Sequence, residues 1–157
     1  MFPDSPPASW PTHLAELWGN GIPLAAAMGV VIRRLDEEVL ELVAPLGPNR
    51  NHMGSAFGGS LQSLATLAGW GVALMAAGDP DASHVVIRDA QMRFRVPVCG
   101  ELVAAAAMPT PDAIAAFRAV LVGRGHARLT VPVTIRGPND TVAARFVGEF
   151  VASVADS

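Results

Sequence analysis

Apolar and polar positions change period several times along the chain, and each change marks an element. Residues 127–136 alternate strictly. Leu129, Val131, Val133 and Ile135 fall on one side, and Arg128, Thr130, Thr134 and Arg136 on the other. That is the pattern of a strand half buried in an antiparallel sheet. Pro132 breaks the polar side and argues for an edge or a bulge there. A turn at Gly137-Pro138-Asn139-Asp140 leads into a long last strand over 141–154. Upstream, 29–36 and 38–46 are rich in Val, Ile and Leu around an acidic turn, which predicts a hairpin. The spacing predicts a second pair, 83–96 with 101–108, across the turn 97–100. Helices are predicted at 11–19, capped by Ser9 or Thr12 and stopped by Gly19-Asn20-Gly21, and at 111–123 behind Thr110. Residues 1–10, rich in Pro and Ser, read as an irregular tail, and 11–155 as a single domain.

The segment that decides the architecture carries no charge from Met53 to Gly78. After a loop over 47–56, residues 57–77 predict one long helix, ended by Gly78, Asp79 and Pro80. Its length would allow it to cross a membrane. Its content argues otherwise: four glycines weaken it in isolation, and the half-wet strands around it need an apolar partner. No membrane association is expected. At about 100° per residue, Gly59, Gln62, Ser63, Thr66 and Trp70 share one face, and Leu61, Leu64, Ala65, Ala68 and Val72 the opposite one. The sequence therefore predicts an α+β fold, a sheet curled around one central helix. The polar stripe either lets the helix approach a neighbour closely or works on a ligand.

Composition narrows the function. The 157 residues carry a formal net charge of -3, and all eleven basic residues are Arg, which gives no general basic surface for nucleic acid. The single Cys99 excludes an intrachain disulfide and a Cys-rich metal site, and no cofactor-binding pattern is evident. The first residues show no signal-peptide pattern. A cytoplasmic protein is expected.

The stretch "HMGSAFGGSLQSLATLAG" resembles the loop-and-helix signature of hotdog-fold acyl thioesterases, most closely the YiiD C-terminal thioesterase domain. Ile22-Pro23-Leu24 with Met28-Gly29, Ala44-Pro45-Leu46, Pro48-Asn49, Asn51-His52, Gly54, Ala56 to Leu61 and Leu67 to Gly71 carry the match, which spans nearly the whole chain. The resemblance implies a hotdog fold and a homodimer or tetramer with sites at the subunit interface. It implies an acyl thioester of CoA or acyl carrier protein as ligand. The Gly58 N–H is then the oxyanion donor at a helix N-terminus, with Gly59 beside it. Asn51 either orients water and the thioester or holds the loop. His52 is a base or a loop-ordering residue, and Phe57 and Gln62 line the substrate site. Related enzymes carry Asp or Glu eight residues after the oxyanion glycine; here that position is Thr66, with Ser63 nearby, and neither deprotonates water at neutral pH. Asp89, on the strand where such enzymes place partner-subunit residues, is the candidate base; its alternative is a salt bridge with Arg88 or Arg93. Arg93 and Arg95 are candidates for CoA phosphates or an acidic carrier protein. The missing carboxylate also leaves malonyl-thioester decarboxylation and a non-catalytic acyl-binding module as alternatives to hydrolysis.

Overall fold

Trp10, Leu14 and Trp18 recur every fourth residue and bury one stripe of the first helix, α1 (Ser9–Gly21), as an amphipathic helix against a core must. The protein is described from a computed structural model covering residues 9–79 and 83–155. Most of the expected N-terminal tail lies outside those residues; its last two, Ser9 and Trp10, already belong to α1. A short helix α2 (Pro23–Met28) follows, with Pro at its first position and Gly29 closing it at φ +74°. A six-residue helix is too short to announce itself by periodicity.

The strands are β1 (Val31–Leu35), β2 (Val39–Ala44), β3 (Ser83–Phe94), β4 (Leu102–Ala107), β5 (His126–Arg136) and β6 (Val142–Val154). They form one antiparallel sheet in the order β1-β2-β4-β5-β6-β3. This corrects one expectation. β3 and β4 do not pair with each other: β3 pairs with β6, and β4 lies between β2 and β5. Pro132 is likewise not on an edge strand. It pairs with Val147 of β6, and the β4 ladder stops next to it, at Val133. A residue without an N–H is tolerated where one ladder ends.

The long helix α3 (Gly58–Ala77) packs against β2, β3, β4, β5 and β6, with α4 (Pro111–Arg124) beside it. By length and composition α3 passes for a membrane span, yet 12 of its 20 residues are buried inside the fold. It is the core helix of the hotdog arrangement. Glycine allows the close approach. A Cβ at Gly69 would lie 2.8 Å from the ring of Phe150, and one at Gly71 2.8 Å from Leu40. The expected faces are present: Leu61, Leu64, Ala65, Ala68 and Val72 are buried, while Gly59, Gln62, Ser63, Thr66 and Trp70 are exposed or half-buried. Arg118 of α4 donates to the carbonyls of Ala76 (2.8 Å) and Met75 (3.4 Å), fastening the C-terminal end of α3. Thr110 caps α4 as expected, its Oγ1 accepting from the Ala113 N–H.

Candidate active site

A pinned loop delivers α3 to its position. Asn49 is 1% exposed. Its Nδ2 donates to the carbonyls of Met28 (2.9 Å) and Pro45 (2.8 Å), and its own carbonyl accepts from the Phe57 N–H (2.7 Å). One buried amide thus ties α2, the end of β2 and the start of α3 together. Arg50 and Ala56 bridge, and the Ala56 N–H donates to Val98 O at 2.7 Å.

The N-terminus of α3 is uncapped. Phe57 precedes it in an extended conformation and offers no side-chain cap. The Ser60 and Leu61 N–H groups both donate to the Phe57 carbonyl. Those of Gly58 and Gly59 have no acceptor among the described residues. Free N–H groups at the positive end of a helix dipole attract an anionic oxygen.

The two glycines are glycine for different reasons. A Cβ at Gly59 would stand 2.5 Å from the Phe57 ring, so the packing of that ring explains the residue. A Cβ at Gly58 would meet the Phe94 ring at 3.5 Å, an ordinary contact. Packing within the subunit therefore does not require glycine at 58. Phe57 (58% exposed) and Phe94 (54% exposed) flank it.

Beside it, from Gly59 onward, a groove of about 530 Å³ runs along α3. One wall is the polar stripe: Gly59, Gln62, Ser63 and Thr66, ending at Leu67 and Trp70. The other wall is α2 and the residue before it, through Ile22, Leu24, Ala25 and Met28. Ser63 Oγ donates back to the Gly59 carbonyl (2.8 Å), and Trp70 Nε1 donates to Val85 O (2.8 Å). Sequence reasoning found the stripe but missed the opposing wall, because nothing in residues 22–28 indicates which face they meet.

The other candidates separate. Asn51 Oδ1 accepts from the Met53 and Ser55 N–H groups (2.9 and 3.2 Å), and its Nδ2 donates to Ser55 Oγ (2.9 Å). These bonds hold the loop, and one Nδ2 N–H remains for a ligand. His52 is exposed, and its side chain makes no hydrogen bond among the described residues.

Asp89 is not brought to Gly58 within its own subunit. Two β3 residues advance from Ile87 to Asp89 while β6 advances one, from Phe150 to Glu149. This bulge reverses the alternation. Ile87, Ala90, Met92 and Phe94 pair with Phe150, Gly148, Phe146 and Ala144 and share their inner face, so Asp89, Gln91 and Arg93 turn outward. Asp89 forms no salt bridge with Arg88 or Arg93 among the described residues; Arg88 pairs with Glu149 at 2.8 Å.

Arg93 stands directly opposite Arg145, both exposed. Neither has a carboxylate within ion-pair distance among the described residues. Arg145 was missed, since its place beside Arg93 follows only from the β3–β6 register. Arg95, just past β3, is exposed, and its N–H is held by Ala143 O (2.8 Å).

A family model described as "Putative thioesterase (yiiD_Cterm)" matches residues 11–154. The chain belongs to this family. Its structure is similar to that of a protein of unknown function from Chlorobaculum tepidum, at 27% identity and TM-score 0.85 over 90% of this chain and 93% of that one. It is also similar to a "putative thioesterase" from Shewanella oneidensis, at 25% identity and TM-score 0.80 over 93% and 98%. A "Probable Thioesterase" from Pseudomonas aeruginosa shares the fold at 23% identity and TM-score 0.79 over 92% and 97%. Membership in the YiiD C-terminal family and the Shewanella relative support thioester hydrolysis as the class of reaction.

Proposed function

We propose that this YiiD C-terminal domain hydrolyses acyl thioesters of CoA or acyl carrier protein at the N-terminus of α3. The observation that carries the reading is the Gly58 N–H, without an acceptor among the described residues, next to the Gly59 end of an uncharged groove. Water adds to the thioester carbonyl, and its oxygen becomes an oxyanion facing the Gly58 N–H. The C–S bond then breaks; the free acid forms, and the proton lost by the water ends on the departing thiol. One preorganised donor contributes about 3 kcal/mol to such a step.

Thr66 lies eight residues beyond Gly58, about 12 Å along the helix axis. Two groups that far apart do not touch one carbonyl, so Thr66 orients water at the Gly58 site of a second copy of the chain. The exposed edge of β3 supports such a homodimer. β3 pairs on one side only, and Val86, Ile87 and Phe94 are exposed along it. Arg93 and Arg145, with Arg95, lie toward the end of the sheet where Phe94 meets Gly58, and bind the phosphates of CoA or an acidic carrier surface. We place the enzyme in the cytoplasm, in keeping with its free, exposed thiol at Cys99.

The test is a panel of acyl and malonyl thioesters, with thiol and CO2 release followed separately. Thiol with free acid supports hydrolysis. CO2 with the thioester intact identifies decarboxylation instead. Tight binding without turnover identifies a binding module.

A further inference from the structure

The groove has two unlike walls, and that mismatch defines the ligand it fits. The α2 wall is apolar, and Leu24 on it is 58% exposed. The α3 wall is polar but carries no charge. A saturated chain satisfies the first wall and leaves the second without partners. A chain bearing a carboxylate finds no counter-charge in the lining.

The polar groups of the α3 wall are not equally available. The Ser63 hydroxyl proton is committed to the Gly59 carbonyl, and the Trp70 N–H to Val85. Gln62 has no hydrogen bond among the described residues, and its amide offers both a donor and an acceptor. Its Cα lies about 6 Å along the axis from Gly58, and helical side chains lean back toward the N-terminus. The amide therefore reaches the part of an acyl chain just beyond a carbonyl held at Gly58.

We propose that the groove between α2 and α3 takes 3-oxygenated acyl thioesters, the 3-hydroxyacyl and 3-oxoacyl classes, with Gln62 as the residue that selects the oxygen. The proposal rests on the reading of Gly58 as the oxyanion site. A 3-hydroxyl donates to the Gln62 carbonyl and a 3-oxo group accepts from its N–H, so one side chain serves both. The rest of the chain lies against the apolar α2 wall.

The experiment compares CoA thioesters of equal carbon number: saturated, 3-hydroxy, 3-oxo and ω-carboxy. The expected result is a preference in kcat/KM of about tenfold for the 3-oxygenated chains, the worth of one hydrogen bond. Gln62→Leu brings that ratio toward one, and Gln62→Asn restores part of it. Gln62 is exposed, so neither variant disturbs the core. A wild-type preference for saturated chains, or a ratio unchanged in Gln62→Leu, overturns the proposal. Binding of non-hydrolysable ketone analogues of the same chains by calorimetry reads the subsite independently of turnover. If no thioester is hydrolysed, the reading of the reaction fails. Tighter binding of the 3-hydroxy analogue then still supports the subsite, and equal or weaker binding overturns it.

Discussion

Replacing Gly58 with Pro removes one hydrogen-bond donor and little else. Gly58 is the first residue of α3, where proline suits the helix and the N–H makes no intrahelical bond. Phe57 before it already has φ -66° and ψ 131°, a conformation that tolerates a following proline. The added Cβ meets the Phe94 ring at 3.5 Å, an ordinary contact. The folded state is kept, and the stiffer unfolded chain adds about 0.4–1 kcal/mol of stability. Loss of one oxyanion donor lowers kcat about 100- to 1,000-fold. The Gly59 N–H and the helix dipole remain, so the lower end is expected. The drop should appear in kcat as well as kcat/KM, because the interaction forms in the transition state. Gly58→Ala is the control: it adds the Cβ but keeps the N–H, and should lose much less. Steady-state hydrolysis and thermal melts on the three proteins decide the matter. A Gly58→Pro enzyme that melts like wild type and keeps its kcat refutes the assignment. Equal losses in the two variants would assign the effect to bulk instead.

Three further outcomes follow from the structure. Gly69→Ala drives a Cβ to 2.8 Å from the fully buried Phe150 ring and should destabilise by about 1–3 kcal/mol in urea unfolding; an unchanged midpoint would contradict the close helix–sheet approach. Asp89→Asn should keep wild-type kcat/KM, because the side chain faces away from α3 of its own subunit; a loss of about a hundredfold, the scale of a missing general base, would identify Asp89 as a base supplied across the subunit interface. Asp36 accepts from the Glu38 and Val39 N–H groups and pairs with Arg34, and the Glu38 bond leads in holding its carboxyl below the usual range. Its stabilising contribution is present above the ordinary carboxylate pKa and lost as pH falls through the lowered one, so Asp36→Asn should flatten the acid limb of a stability–pH profile.

The sequence made the helix and its two faces legible because a period of 3.6 depends only on local backbone geometry. Leu64 and Ala68 are buried, and Gln62 faces outward, as that period requires. Gly58 was singled out by the resemblance of the loop motif to hotdog thioesterases, which periodicity alone does not supply. The outward turn of Asp89 was not legible because a single extra residue, Arg88, reverses inside and outside beyond it, and alternation carries no mark of a bulge. Asn51 matched a functional position, but its amide is largely engaged by Ser55 and Met53, a competition visible only once the loop is closed. The β3–β4 pairing failed because proximity in sequence is only a tendency, and β3 pairs with β6 instead.

The position of β3 also governs how the chain reaches its native state. Ser83 pairs with Val154 and Phe94 with Ala144, so every rung of that ladder spans a large loop of intervening chain. Such ladders raise contact order and form late. Before β6 arrives, β3 has no strand on either side, and Ile87 and Phe94 stand open along a bare edge. That interval is when the chain is most prone to self-association. Substitutions that weaken β6 should therefore lower the yield of folded protein more than they lower its final stability.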